Sequence, residues 1–395
     1  MAQSISQEAI GATGLPGATA ASRHAGATAS GAPTTGTFAV GDYVVDQTGA
    51  MYVCTVAGTP GTWTQPAVPL TENVAGKNFL INGGFDIWQR GTSFTSLVGY
   101  AADRWYTNSG NTTVSQQTSG VPVGTASSLR VAYNSTGGYG GQFSPLESSN
   151  AKILAGKTVT LSVQLRCNSS FASSGVGLLL SLSKNSTANT MTGGTWTTIS
   201  STTIPASSLP TGTGASNWFT ASITAVIPND GTAAGILVGI QENATGVTPS
   251  YWEVAAMQLE IAPQATPFSR AGGSIGGELA LCQRYYWQQV GQGTGASTTY
   301  GLFSLGACTT STNAFCGPIK FPVTMRTSPS FSFNNTIGVT TSINGLNNVS
   351  AISLDNATSD MACLTVTASG LSAGNVTRLL SSGSSTAAML WSAEL

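Results

Sequence analysis

The residues able to do chemistry are few and scattered. There are 15 Asp and Glu and 14 Lys and Arg among 395 residues, so a reactive centre has little to draw on. A glycosidase needs two facing carboxylates about 5–10 Å apart, whereas the acids here stand singly, as at Asp86, Asp103 and Glu260. The only histidine, His24, lies in a Gly/Ala-rich stretch. The cysteines Cys54, Cys167, Cys282, Cys308, Cys316 and Cys363 form no CxxC pair, which argues against a zinc site and a Cys–His nucleophile. HExxH and the glycine-rich phosphate loops are absent. No enzymatic activity is expected, and no cofactor. Most thiols are expected to be buried and reduced. Cys308 and Cys316 are near enough in sequence to pair, which spacing alone does not decide.

Aromatic rings are the other candidates. In TGGYGGQF (136–143) and TGGTWTTI (192–199), glycines flank Tyr139 and Trp196 and leave a ring face open. Flat rings beside hydroxyl and amide groups suit stacking against sugars, with solvent-facing turns or subunit contacts as the alternative. Tyr52 and Trp63 form a second pair within residues 37–65. The ligand expected for such surfaces is a neutral polysaccharide. With 14 basic residues spread thinly there is no positive groove for an acidic polymer, and nucleic acid is not expected as a partner. No apolar run approaches the roughly 18 residues that span a bilayer, so membrane insertion is not expected either.

These residues must be held by β structure. Charged residues make up 7% of the chain, yet it carries 8 Trp, 10 Tyr and 13 Phe, enough apolar material to fold. Residues 1–36 read as an extended Gly/Ala-rich anchor that orders against a partner. Residues 37–65 read as a small β-hairpin module and 66–77 as a linker. From 78 to 275, runs such as KTVTLSVQLRC, VGLLLSLS and WEVAAMQLEI alternate apolar and polar residues between turn clusters. This pattern indicates an antiparallel β-sandwich of the jelly-roll kind. Residues 276–395 read as a second, C-terminal β-sandwich domain, giving an all-β chain throughout.

NFLINGGFDIWQRG (78–91), ADRWY (102–106) and YWEVAAMQLEIAPQATPF (251–268) together resemble the jelly-roll domain of bacteriophage tail and fibre proteins. That domain is related in fold to carbohydrate-binding modules. The resemblance extends to ELALCQRYYW (278–287) and FPVTMRTSPSF (321–331). It implies a structural virion protein, a tail fibre or minor tail component adhering to host glycans. The alternative is a head decoration or head fibre protein with a purely structural role. It further implies a homotrimer, joined to other virion proteins through its N-terminal segment. The first residues, MAQSISQEAIGATG, lack the pattern of a secretory signal, which fits assembly in a host cytoplasm and release by lysis. In this reading 78–91 is an opening strand with its aromatics turned inward. Phe85, Trp88, Trp105 and Trp252 are core, and Asp86, Asp103 and Glu260 pair with arginines. A structural Ca²⁺ held by these carboxylates is the alternative for the acids.

Overall fold

The computed structural model describes residues 23–47, 49–65, 74–244, 246, 248–291, 301–334, 336–342, 345–382 and 386–395. The chain divides into two compact units, Met1–Leu70 and Thr71–Leu395. The first 22 residues of the expected anchor, and 66–73 of the expected linker, lie outside the described residues.

The first unit is a four-stranded sheet in the order β1 (His24–Gly26), β2 (Tyr43–Val45), β3 (Met51–Val56), β4 (Thr62–Thr64). Its first strand pairs in parallel with β2, so residues 24–26 belong to the module and are not free chain. Asp42 ties the segment down by accepting from Arg23 at 2.7 Å and from the Ala39 N–H at 2.9 Å.

The second unit begins with a sandwich of twelve strands. They are β5 (Ser93–Thr95), β6 (Val98–Tyr100), β7 (Tyr106–Gly110), β8 (Thr112–Gln117), β9 (Ser128–Tyr133) and β10 (Tyr139–Leu146). After helix α1 (Ser148–Leu154) come β11 (Thr158–Cys167), helix α2 (Ser169–Ala172), β12 (Gly177–Asn185) and β13 (Thr197–Pro205). The series closes with β14 (Phe219–Val226), β15 (Gly235–Glu242) and β16 (Tyr251–Glu260). Two antiparallel sheets result, β13-β12-β15-β10-β7-β6 and β14-β11-β16-β9-β8-β5. The period-2 alternation turns Val159, Leu161, Val163 and Leu165 inward from one sheet and Leu178, Leu180 and Leu182 from the other.

The stretch 78–91 is not a strand. It is a buried irregular segment, because asparagine side chains replace the ladder. Asn78 accepts from the N–H groups of Leu80 and Leu259 and donates to the Met257 carbonyl at 3.0 Å. Asn82 bonds both sides of Ile87 and the carbonyl of Asp103. The segment seats on a bulge in β16, where Ala256 takes φ 49° and two residues face Val163 alone. The extra residue shifts the inward phase from Trp252 and Val254 to Met257 and Leu259, and all four are buried. Gly83 is the contact point. It accepts from the Met257 N–H at 2.8 Å, and a Cβ there would lie 2.1 Å from the Met257 carbonyl oxygen.

The C-terminal part follows helix α3 (Ile275–Gln283). Its strands are β17 (Tyr286–Val290), β18 (Leu302–Cys308), β19 (Asn313–Lys320), β20 (Ser330–Asn334) and β21 (Ile337–Ser342). They continue as β22 (Gly345–Ala357), β23 (Met361–Ala368), β24 (Val376–Ser381) and β25 (Ala388–Ser392). It is β structure as read from the sequence, but in place of a second sandwich six strands close as a barrel, β18-β19-β23-β22-β21-β24. Alternation is the same in both architectures; closure depends on β24 pairing with both β18 and β21. The remaining three strands form the sheet β17-β25-β20, whose Trp391 packs 4.7 Å from Phe331. All six cysteines are free thiols, Cys308 facing Ala314 and Cys316 facing Gly306 across β18 and β19.

The sandwich and the C-terminal part meet at a buried charge junction built from the motif residues. Arg90 bonds Asp103 at 3.2 Å and Glu394 at 3.0 Å, with its guanidinium 3.5 Å from the Tyr286 ring centre. Arg104 pairs with the same Glu394, lies 3.7 Å from the Tyr285 ring centre and donates to the Pro145 carbonyl at 2.8 Å. Arg326 donates to the carbonyls of Ala393 and Glu394. WQR, ADRW, RYYW and TMR thus act as one clamp around the chain segment 393–395.

One titration follows from this junction. Burial pushes the Asp103 carboxyl up to about 6, against a smaller opposing pull from Arg90. With its folded value raised, Asp103 contributes stability that is complete below about pH 4 and lost as pH rises through about 6. We expect the melting temperature to climb between pH 7.5 and pH 5. Over that range the gain is about 1.4 kcal/mol, because the group crosses only about one pH unit below its folded value and each tenfold rise in proton affinity on folding is worth ~1.4 kcal/mol. Asp103→Asn should flatten that slope in a calorimetric pH series. An unchanged slope in the variant assigns the rise to other groups.

Candidate functional site

The outward side of the sheet β13-β12-β15-β10-β7-β6 carries a group of aromatic residues outside the buried core. On β10 the residues sharing one face are Tyr139, Gly141, Phe143 and Pro145, since Gln142, Ser144 and Leu146 are buried. Cross-strand register places Tyr106 opposite Phe143, Asn108 opposite Gly141, and Gln241 on its other side. Tyr100 stands edge-on to Tyr106 with ring centres 5.5 Å apart.

Phe143 lies flat on the sheet. A Cβ at Gly141 would fall 2.6 Å from its ring, and one at Gly239, on the neighbouring strand, 2.7 Å from it. Two glycines on adjacent strands therefore let the ring down onto the backbone with one face outward. Around it are the amides of Gln241 and Asn108 and the hydroxyl of Ser181. Tyr139 donates to Gln241 Oε1 at 2.6 Å, which commits the oxygen of that amide and fixes its plane. Burial raises the Tyr139 hydroxyl above its ordinary value, so it stays a donor at neutral pH. The strand residues that share this face include no charged side chain.

Tyr139 and Trp196 lie at opposite ends of this one face. TGGYGGQF runs into strand β10, whereas Trp196 sits in a loop just before β13. The Trp196 ring reaches to 3.4 Å of where a Gly235 Cβ would stand, and its Nε1 donates to the Met191 carbonyl at 3.0 Å. Tyr52 and Trp63 are in the first unit. Tyr52 pairs with Val44, while Trp63 packs edge-on against Phe38 at 4.9 Å and donates to the Pro60 carbonyl. Phe143, Tyr106 and Gln241 were missed. The signal was present in Y-G-G-Q-F, where period 2 puts Tyr139, Gly141 and Phe143 on one side.

The other singled-out residues hold the fold. Phe85, Trp105 and Trp252 are fully buried, with Phe85 and Trp105 4.7 Å apart, and Trp88 is half-buried and donates to the Phe85 carbonyl. Asp86 accepts from Arg270 at 2.8 Å and from the N–H groups of Ala126 and Ser127. Glu260 accepts from Thr266 and Gln258. Asp86 is thus shared between an arginine and N–H donors, as Asp103 is with Arg90, whereas Glu260 does not pair with an arginine as expected: its donors are Gln258 and Thr266, and its nearest cation is Lys77 at 3.9 Å. Among the described residues no group of three or more His, Cys, Asp or Glu is placed to hold a metal ion. No helix among them is long and apolar enough to cross a membrane.

No family model and no curated protein sequence matches the chain. Among solved structures it is similar to the carbohydrate-binding module TmCBM61 in complex with β-1,4-galactotriose, at 10% identity over 47% of this chain and 99% of that one, TM-score 0.29. It is also similar to the enzymatically active domain of bacteriophage CBA120 tailspike protein 4, at 9% identity over 47% of this chain and 22% of that one, TM-score 0.31. A third is the C-terminal family 22 carbohydrate-binding module of Clostridium thermocellum Xyn10B, at 14% identity over 41% of this chain and 89% of that one, TM-score 0.27. Likeness at that level carries no argument about function.

Proposed function

We propose that the chain is a non-enzymatic adhesion protein that binds a neutral polysaccharide on the outer face of the β10-containing sheet. The observation that carries this is Phe143 laid across Gly141 and Gly239, with amide and hydroxyl groups around it and no charge on the face. A sugar ring stacks on such a platform through its C–H groups while the amides meet its hydroxyls. The motif resemblance supports a place in a phage particle, as a tail fibre or minor tail component held by its N-terminal segment. A homotrimer, the form that resemblance implies, multiplies a weak single site by avidity.

The test is retention of the full-length protein on host cell-wall polysaccharide at low and high NaCl. We expect retention to be independent of salt, because no ion pairing is involved. Phe143→Ala should weaken it about tenfold, the equivalent of ~1.4 kcal/mol of lost stacking. Tyr139→Phe should weaken it less, since it frees Gln241 without removing the platform. Binding that collapses with salt, or that survives Phe143→Ala undiminished, overturns this reading.

A further inference from the structure

The opposite sheet carries a second open feature, of about 240 Å³, on its outer side. It exists because of the bulge in β16 and the segment that follows it. After Glu260 the chain folds back over the sheet, and three ties hold it there. The Thr266 N–H donates to Glu260 Oε1 at 2.9 Å, the Ser269 N–H to Gln258 Oε1 at 2.8 Å, and Lys77 Nζ to the Pro267 carbonyl at 2.7 Å. The returning segment stands as a wall, and between it and strands β11 and β14 lies a groove. Its lining includes Ser162, Gln164, Thr220, Ala256, Pro267 and Phe268. The small Ala256 at the bulge forms the floor, and half-buried Phe268 forms one side.

The polar groups in this groove differ from their neighbours on the same face. One register step away, Thr160 and Thr224 bond each other at 2.8 Å, and Thr160 also bonds the Ala262 carbonyl. Gln258 and Glu260 are used up in holding the wall. In contrast, no hydrogen bond within the described residues engages the side chains of Ser162, Gln164 or Thr220. Two hydroxyls and an amide therefore converge, uncommitted, beside an aromatic edge, and none of the lining residues is charged. At about 240 Å³ the groove has room for one sugar ring.

We propose that this groove is a second saccharide site that takes a single neutral pyranose ring. It goes beyond the reading above, since it lies on the other sheet and uses different residues. Glu260 acts here as a positioning residue that fixes the Phe268 wall. Each chain then carries two sites of different character, a flat platform for polymer and a groove for one ring.

The test is saturation-transfer NMR on the full-length protein with a panel of neutral methyl pyranosides, beside the polysaccharide retention assay. At least one pyranoside should bind at ~1–50 mM, ordinary for so small a contact. Gln164→Leu and Thr220→Val should each weaken that signal at least fivefold, and Phe143→Ala should leave it unchanged. Both groove positions are partly open to solvent, and thermal melting confirms that the variants fold. Absence of binding by every pyranoside overturns the groove, as does a signal indifferent to both groove variants. A signal lost only with Phe143→Ala also overturns it while leaving the platform standing. Pyranoside binding lost in Gln164→Leu, together with polymer retention unchanged by Phe143→Ala, supports the groove and removes the platform.

Discussion

Glu394→Ala should lower the melting temperature of the C-terminal part by about 10 °C or more, corresponding to roughly 3–5 kcal/mol for breaking a buried ion pair from one side. Glu394 is the carboxylate shared by Arg90 and Arg104, and Arg104 is only 2% exposed. Without it, Arg90 keeps Asp103. Arg104 keeps a carbonyl and the rings of Tyr285 and Tyr100, which do not neutralise a buried cation. Glu394→Gln restores an acceptor without the charge and should fall between the two. Because the junction joins sandwich to barrel, calorimetry should also show one transition separating into two, so Tm values are the safer readout. Lys152→Ala, at an exposed position on helix α1, serves as the control and should change little. A loss below about 1 kcal/mol in Glu394→Ala would show that water reaches Arg104 freely and that the clamp is not closed.

That junction also marks where sequence reading ended. The charged residues of WQR and ADRW were legible as pairs because charge is scarce, but the principal partner of Arg104 lies 290 residues further on. Alternation in β11, β12 and β15 made the all-β class and the inward residues legible, since apolar side chains recur at every second position facing the core. It could not distinguish a sandwich from a barrel, because closure is decided by distant pairings such as Leu305 with Arg378. The segment 78–91 carries strand-like residues yet lacks a ladder, and only the bonds of Asn78 and Asn82 explain why. The candidate face was half legible: Tyr139 and Trp196 were marked by flanking glycines. The same glycines hid strand β10, and with it Phe143. Gly239, which completes the platform, is distant in sequence and marked by nothing local.

Gly83→Ala should be among the most damaging single changes in the chain, costing about 4 kcal/mol or more, beyond the usual range for one substitution. A Cβ at this position would stand 2.1 Å from the Met257 carbonyl oxygen, nearer than real contacts come. The carbonyl cannot yield cheaply. It accepts from Asn78 Nδ2 at 3.0 Å, and the Met257 N–H is bonded to Gly83 itself at 2.8 Å. Relief requires opening the β16 bulge, which would put Met257 and Leu259 out of phase with the core. The second glycine of the pair is a milder case. The nearest atoms to the Cβ of a substituted Gly84 are those of the Asp86 side chain, at 2.6 Å, though Asp86 is itself held by Arg270. Gly276→Ala should act in the opposite direction. It lies inside helix α3 with nothing within 4 Å of the added atom, and alanine there gains ~0.5–1 kcal/mol of helix stability. Urea denaturation of the three variants measures all of this on one scale. If Gly83→Ala costs no more than Gly84→Ala, the bulge is not locked by the glycine, and the docking of 78–91 on β16 is looser than its hydrogen bonds imply.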